Sequence, residues 1–428
     1  MNRSLPEAIL DQLASTRAEA LPGARWRCFS EREWKQALMW LDLSGLAIYF
    51  HDEMKRSNGL DALPDGARRS LERRRADNRL RTVRIAEELA ALCTSFAQAR
   101  VRYAVLKGLA LVPDYCSDPA LRTQYDHDVL LDSASLAAAA VVMEKAGYRR
   151  KNTEGASVVV YRPPEPAIRF AETSEGLYSP LLGRSVEAHL TLWEESEDNI
   201  RVALPGDFLD RARRRRWDGI EFVALCDEDS LVFQILHAFR HILRNWCRLS
   251  IFLEIGRFVD RRAADSAFWK AFTDRIEGIR WAREASLVVF TLAERLFSAR
   301  VPPQLRQSLT TRLSPALDLW IERYGRRAAL SNFHGDKCSL FLHEEFVDSP
   351  SEWAAIRRRR LFPVQRPHRP PATLFQRGFS TTGKVWMESA HALRRIRFHG
   401  LANLRYALEY PRWIQLRRMR LDAESGGG

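Results

Sequence analysis

The chain lacks the features that would mark a zinc ribbon, a disulfide scaffold or a membrane-spanning protein. Its six cysteines (Cys28, Cys93, Cys116, Cys226, Cys247 and Cys338) are scattered, with no CxxC and no close pair. That spacing argues against a structural zinc site and against a disulfide framework. No uninterrupted run approaches the ~20 apolar residues of a membrane span. The opening Met-Asn-Arg-Ser-Leu-Pro-Glu has no apolar core of a signal peptide, so a cytoplasmic, reduced protein is expected. No internal repeat is evident. Acidic residues are scarce towards the end: residues 351–428 hold 16 Lys+Arg against 5 Asp+Glu, a net +11 of the overall +13. A segment of this kind suits nucleic acid, anionic lipid or an acidic partner, and equally a solvated basic surface.

What is present is a globular composition. The 428 residues, 46% apolar and 28% charged, suffice for two or three domains of ~100–200 residues each. Residues 1–56 have apolar positions at helical spacing (Ile9, Leu13; Trp34, Leu38, Leu41). The pattern from Ala67 to Ala99 predicts a long charged helix with Leu80, Val83, Leu89 and Leu92 on its apolar face. Short strands are expected at Tyr103–Leu106, Tyr125–Leu131, Val158–Tyr161, Ile168–Phe170 and Val186–Leu192, with a helix over Ser135–Ala146 ended by Gly147. After residue 207 the pattern is mostly helical: Asp227–Leu243, Ser250–Val259 and Trp269–Phe297. The expected class is α+β, a small mixed-sheet core with N-terminal helices and a C-terminal helical region. The expected divisions are an N-terminal helical segment (1–75), an α/β core (76–220), a helical domain (221–345) and a basic C-terminal segment (346–428).

The chemistry is concentrated in Asp126-His127-Asp128-Val129-Leu130-Leu131. Alternate residues of a strand share a face, so Asp126 and Asp128 project together and His127 projects away. Two carboxylates so placed repel unless a cation lies between them. Hard divalent ions such as Mg²⁺ favour these ligands, with phosphate oxygens completing the shell. Glu187 is a third carboxylate on a later strand, with His189 and Thr191 on its face. If the two strands are neighbours, the cluster could hold two ions roughly 4 Å apart. Lys107 and Gly108 form a turn after the first strand. Arg122, four residues before Asp126, reads either as a phosphate clamp or as an internal ion-pair partner of Asp118 or Asp126. His237 and His241 lie i, i+4 on a helix. Ala238 follows the first, where zinc hydrolases have a glutamate, so a structural role or a lip over the site is expected.

Leu106-Lys107-Gly108-Leu109-Ala110-Leu111, Tyr115, Asp118-Pro119-Ala120-Leu121-Arg122, Asp126-His127-Asp128-Val129-Leu130 and Ala146-Gly147-Tyr148 stand in the order of one known family. They are joined by Glu187-Ala188-His189-Leu190, Leu236-His237, His241, Arg248-Leu249 and Glu254, the last in place of a commoner aspartate. This series, over about residues 76–300, resembles the "uncharacterised nucleotidyltransferase" family of the polymerase-β-like nucleotidyltransferase superfamily. The resemblance implies a mixed sheet that binds a nucleoside triphosphate, ATP among the candidates, with Mg²⁺, or Mn²⁺ in its place. Asp126 and Asp128 match the family's metal ligands, and Glu187 stands where the third carboxylate acts as ligand or general base. Lys107-Gly108 replaces the Gly-Ser that better-known members of the superfamily carry at the first turn. Positive charge from Lys107, close backbone approach at Gly108 and Arg122 would then hold the triphosphate.

Two readings follow. The chain is a nucleotidyltransferase moving a nucleoside monophosphate to a small-molecule or protein acceptor. Alternatively, it is a catalytically inactive nucleotide-binding or scaffolding protein that acts through its basic C-terminal segment. In that segment the arginines of 357–360 and 394–397 alternate with Trp386, Phe398, Tyr406, Tyr410 and Trp413. The pattern suits an amphipathic helix packed on its own domain or against a protein partner, ahead of nucleic acid and, after it, peripheral contact with an anionic membrane surface.

Overall fold

A computed structural model describes residues 4–15, 23–151, 157–164, 174–195, 199–310, 314–330, 337–362 and 381–425. The fold is α+β. Seven strands make one mixed sheet: β1 (Tyr103–Val105), β2 (Asp126–Leu131), β3 (Arg149–Arg150), β4 (Val158–Arg162), β5 (Ser185–His189), β6 (Arg213–Trp217) and β7 (Ile220–Ala224), in the order β3-β4-β5-β2-β1-β7-β6. The central pair, β2 and β5, is parallel, whereas β1 runs antiparallel to β2 and parallel to β7.

The two faces of the sheet follow from period-two alternation. Val129, Leu131, Val186 and Ala188 point to one side, where they pack with Leu89, Leu92 and Phe96 of the Asp65–Gln98 helix and Met143 of the Leu136–Lys145 helix. Ala104, Leu106 and Leu130 point to the other side and meet Phe233 of the Asp227–Leu243 helix. The odd-numbered and even-numbered positions of β2 therefore serve different layers. A third, larger apolar cluster joins the N-terminal helices Leu5–Ala14, Glu31–Ser44 and Ala47–Arg56 to the helices that follow residue 227.

Several elements differ from the sequence expectation. Residues 213–224, in a stretch read as mostly helical but given no element of its own, form a hairpin, and the turn is Asp218-Gly219, with φ of 44° and 79°. Two consecutive left-handed residues make the tight turn whose twist suits paired strands, and Asp-Gly is its usual sequence. The expected Trp269–Phe297 helix is two helices, Ser266–Glu277 and Ala282–Phe297, parted at Trp281, whose φ is 68°. Leu80 and Val83 are 59% and 54% exposed, so they are not on the buried face of the long helix. That face carries Arg74, Asn78 and Arg81 in its N-terminal half. These polar side chains are buried because they bind backbone carbonyls and carboxylates that no helix or sheet satisfies, which an apolar-periodicity search does not detect. The expected strand at 168–170 lies outside the described residues. All six cysteines are free, and all but Cys28 are buried.

Candidate active site

The strand pair β2–β5 sets the site. Its register places Asp128 opposite Glu187 and Leu130 opposite His189. Asp126, Asp128, Glu187 and His189 therefore share the face turned towards the Asp227–Leu243 helix. His127 projects to the opposite face, where its Nε2 lies 3.1 Å from Glu88 Oε2. Glu88 also pairs with Arg184, so this cluster anchors the long helix to the sheet.

The backbone ahead of β2 is held from behind. Asn78 Nδ2 donates to the carbonyls of Ala120 (2.8 Å) and Arg122 (3.1 Å), and Arg81 donates to the carbonyl of Gln124 through Nε (3.0 Å) and a terminal nitrogen (2.8 Å). Arg248 donates to the carbonyl of Thr123 at 2.6 Å and lies over the Tyr125 ring. These bonds fix where β2 begins, and so where Asp126 stands.

Asp128 is 2% exposed. Its Oδ1 accepts from Lys107 Nζ at 2.7 Å and lies 3.1 Å from His189 Nε2. Its Oδ2 is buried with no hydrogen-bond partner among the described residues. Burial alone would raise the Asp128 carboxyl, but Lys107 and His189 outweigh it and hold it well below the usual carboxylate range. Asp126 moves the other way, raised by burial and by the negative charge of Asp128. Glu187 is pushed up to about 8 by burial and by the charges of Asp126 and Asp128. The three carboxyls thus feel one another and cannot all ionise cheaply without added positive charge.

Oxygen and nitrogen atoms of Asp128, Glu187 and His189 lie within 4.8 Å of one another, one from each residue. With Asp126 alongside, the donor set is rich in carboxylate oxygen, and the orphaned Asp128 Oδ2 leaves a lone pair to be satisfied. Both observations fit a hard divalent cation.

The cationic side of the site comes from the helical layer. Arg240, His237 and His241 lie on the Asp227–Leu243 helix, and Arg248 precedes the Leu249–Arg261 helix. The positive charge of Arg240 acts on Glu187, and that of Arg248 acts on Asp126. Burial, then the charge of Lys107, depresses His237 well below its usual range. His241 is depressed to about 4, chiefly by burial, and its Nδ1 lies 2.7 Å from the Trp246 carbonyl oxygen. Both imidazoles are neutral at physiological pH. Sequence patterning passed over Arg240 and Arg248 as site residues. Arg240's place on a helix marks a face but not what that face meets, and Arg248 stands in the connection after it.

Lys107 Nζ bonds Asp128 Oδ1, and Gly108 follows at the turn, packed against Gln124. Arg122 does not face the carboxylates alone: its Nε makes a buried ion pair with Glu254 at 3.2 Å, and Glu254 accepts from the Tyr49 hydroxyl at 2.8 Å. Asp118, one of the partners expected for Arg122, pairs with Arg75. The Arg122–Glu254–Tyr49 chain links the loop before β2 to two helices of the large core.

Gly108 has a φ of +65°, and a Cβ there would lie 2.4 Å from Gln124 Oε1. Gln124 cannot easily retreat, because its Nε2 donates to the Asp126 carbonyl at 2.6 Å. Gly108→Ala is therefore expected to cost at least about 1–2 kcal/mol in urea unfolding and to shift Asp126. A midpoint equal to the parent's would remove this constraint.

Carboxylates from two parallel neighbouring strands, ringed by lysine and arginine from adjoining elements, make a site for a divalent cation and an anionic substrate. The chain belongs to the uncharacterised nucleotidyltransferase family, whose sequence profile matches residues 30–298. No curated protein and no solved structure matches the chain. Among the described residues, no helix is long and apolar enough to cross a membrane.

Proposed function

We propose that this protein transfers a nucleoside monophosphate from a nucleoside triphosphate to a small-molecule or protein acceptor and releases pyrophosphate. The observation that carries the reading is the convergence of Asp126, Asp128 and Glu187 on one face of the β2–β5 pair, in a family of nucleotidyltransferases. Asp126, Asp128 and Glu187 would hold Mg²⁺, or Mn²⁺ in its place, which supplies charge neutralisation and orientation of the triphosphate. Phosphoryl transfer asks mainly for positioning and electrostatic stabilisation. Lys107, Arg240 and Arg248 supply positive charge for the phosphate oxygens, and Gly108 lets them approach the backbone. Arg122, tied to Glu254, positions the loop and adds charge at its rim. In the transfer, the acceptor atom bonds to the α-phosphorus as the bond to the bridging oxygen breaks. The acceptor's proton passes to a carboxylate. Glu187, deprotonated once a cation offsets the charges of Asp126 and Asp128, is the carboxylate placed to take it.

The test is the melting temperature of the purified chain with each of the four NTPs, with and without Mg²⁺ or Mn²⁺. Anything that binds only the folded state raises it. A metal-dependent rise with one NTP, lost in Asp126→Asn/Asp128→Asn, is the expected result and identifies the donor. No rise with any NTP at millimolar levels would overturn the transferase reading and favour a scaffolding role.

A further inference from the structure

The helix Thr381–Ser425 has two apolar faces, and only one of them is used. Ala402, Tyr406 and Trp413 are buried at 0%, 5% and 0% exposure, spaced by four and seven residues. Tyr406 and Trp413 stack on Phe341 with ring centroids 5.1 and 5.3 Å apart, and Trp413 also meets Tyr324. This contact docks the helix on its own domain. Two of the aromatics that alternate with arginine in the sequence are thereby turned inward and cannot stack on a base.

The opposite face is exposed. Leu393, Ile396, Leu401, Leu404 and Leu408 are 67%, 69%, 44%, 56% and 71% exposed, and Met419 is 59% exposed. At 100° per residue these positions fall within an arc of about 140°, centred away from the docked side. Arg397 and Arg418 lie within the same arc, are exposed, and make no ion pair among the described residues. Between residues 393 and 420 Glu409 is the one acidic residue. It lies on the docked side, held by Arg323 at 2.8 Å and by the Tyr324 hydroxyl at 3.0 Å. The exposed stripe therefore mixes aliphatic side chains with positive charge, and its one carboxylate is the exposed Asp422, just past Met419 at its end.

We infer that this face of the C-terminal helix binds an anionic lipid surface, lying in the plane of the headgroups. A helix with leucine and isoleucine along one line and arginines beside them is built for that interface. The aliphatic groups enter the acyl boundary, and the arginine stems follow them while the guanidinium groups stay with the phosphates. A second copy of the chain is a poorer occupant, because pairing two such stripes would bring four arginines together with one carboxylate, Asp422, at the end of each. A nucleic acid is also a poor one, because the aliphatic stripe offers almost no aromatic ring for a base. The inference does not depend on the transferase reading.

The experiment is flotation of the full chain with vesicles of phosphatidylcholine alone and of phosphatidylcholine with about 30 mol% phosphatidylserine, a strongly anionic surface. The chain is expected to float with the anionic vesicles and not with the neutral ones, and to be released by high salt. Ile396→Ser/Leu404→Ser/Leu408→Ser and, separately, Arg397→Ser/Arg418→Ser are expected to leave the melting temperature unchanged, since all five side chains are exposed. Removing the two arginines should weaken partitioning about thirtyfold at low salt. The aliphatic triple should weaken it at least as much. Absence of flotation with anionic vesicles would overturn the inference. So would flotation unaffected by either variant, or a dimer in sedimentation that the aliphatic triple dissolves.

Discussion

Asp128→Asn is expected to abolish divalent-cation binding and to cost about 3 kcal/mol of stability, because it strands a lysine. Asp128 is buried, and the Lys107 side chain that pairs with it is only 12% exposed. Removing the carboxylate charge leaves the ammonium without its counter-charge in a site it cannot readily leave. Asn keeps the shape but only part of the attraction. Lys107→Met added to Asp128→Asn should recover most of that stability while restoring no cation binding. This separates the charge effect from any loss of packing. Asp126→Asn should behave differently. Asp126 is half-buried and bonded to no cation among the described residues, and its carboxyl is already raised by burial and by Asp128. The fold should survive nearly intact, whereas Mn²⁺ affinity should fall about 100-fold or more, at least the loss seen on removing outer-shell partners. Urea unfolding and calorimetric titration with Mn²⁺ measure both quantities. Unfolding of Asp126→Asn would make that residue structural and end its assignment as a ligand.

The second large effect is on the pH dependence of stability without added cation. Glu187 is raised from 4.5 to about 8 in the folded chain by burial and by Asp126 and Asp128. Between those values the folded state keeps a proton that the unfolded state has released, so stability falls as pH rises through the window. Asp128 has the opposite sign, since its folded carboxyl is lowered. Its contribution is lost only as pH falls below the ordinary aspartate range. The two effects therefore do not overlap. Glu187→Gln removes the falling limb, and the variant should exceed the parent by about 1–3 kcal/mol at pH 8, at the cost of cation binding. Mn²⁺ should reverse the trend in the parent, because cation binding expels the proton and grows stronger with pH. Denaturant midpoints taken from pH 5 to 9, with and without Mn²⁺, give the answer. A flat cation-free profile in the parent would mean that the three carboxyls are not crowded.

The cluster that raises Glu187 is the one proposed to hold the ion. Its neighbours, Lys107, Arg240 and Arg248, are drawn from a turn and two helices rather than from the sheet itself. Stability and site chemistry are thus set by the same few charges.

What the sequence determined by itself is local. Period two on β2 placed Asp126 and Asp128 on one face and His127 on the other. The Gly147 stop, the Asp227–Leu243 helix and the carboxylates' order along the chain were also legible, because each depends on neighbours a few residues away. The Asp218-Gly219 turn was also written there, although no element was expected between residue 207 and Asp227. What only the tertiary structure decided is which distant charges meet. Glu187 pairs in register with Asp128 across 59 positions of chain, Arg122 finds Glu254 rather than nearby Asp118, and Arg240 and Arg248 come over the carboxylates from another layer. Strand pairing and layer packing are chosen by the burial of whole faces. A charge's partner is whichever group that packing brings within a few ångströms, and no local pattern encodes it.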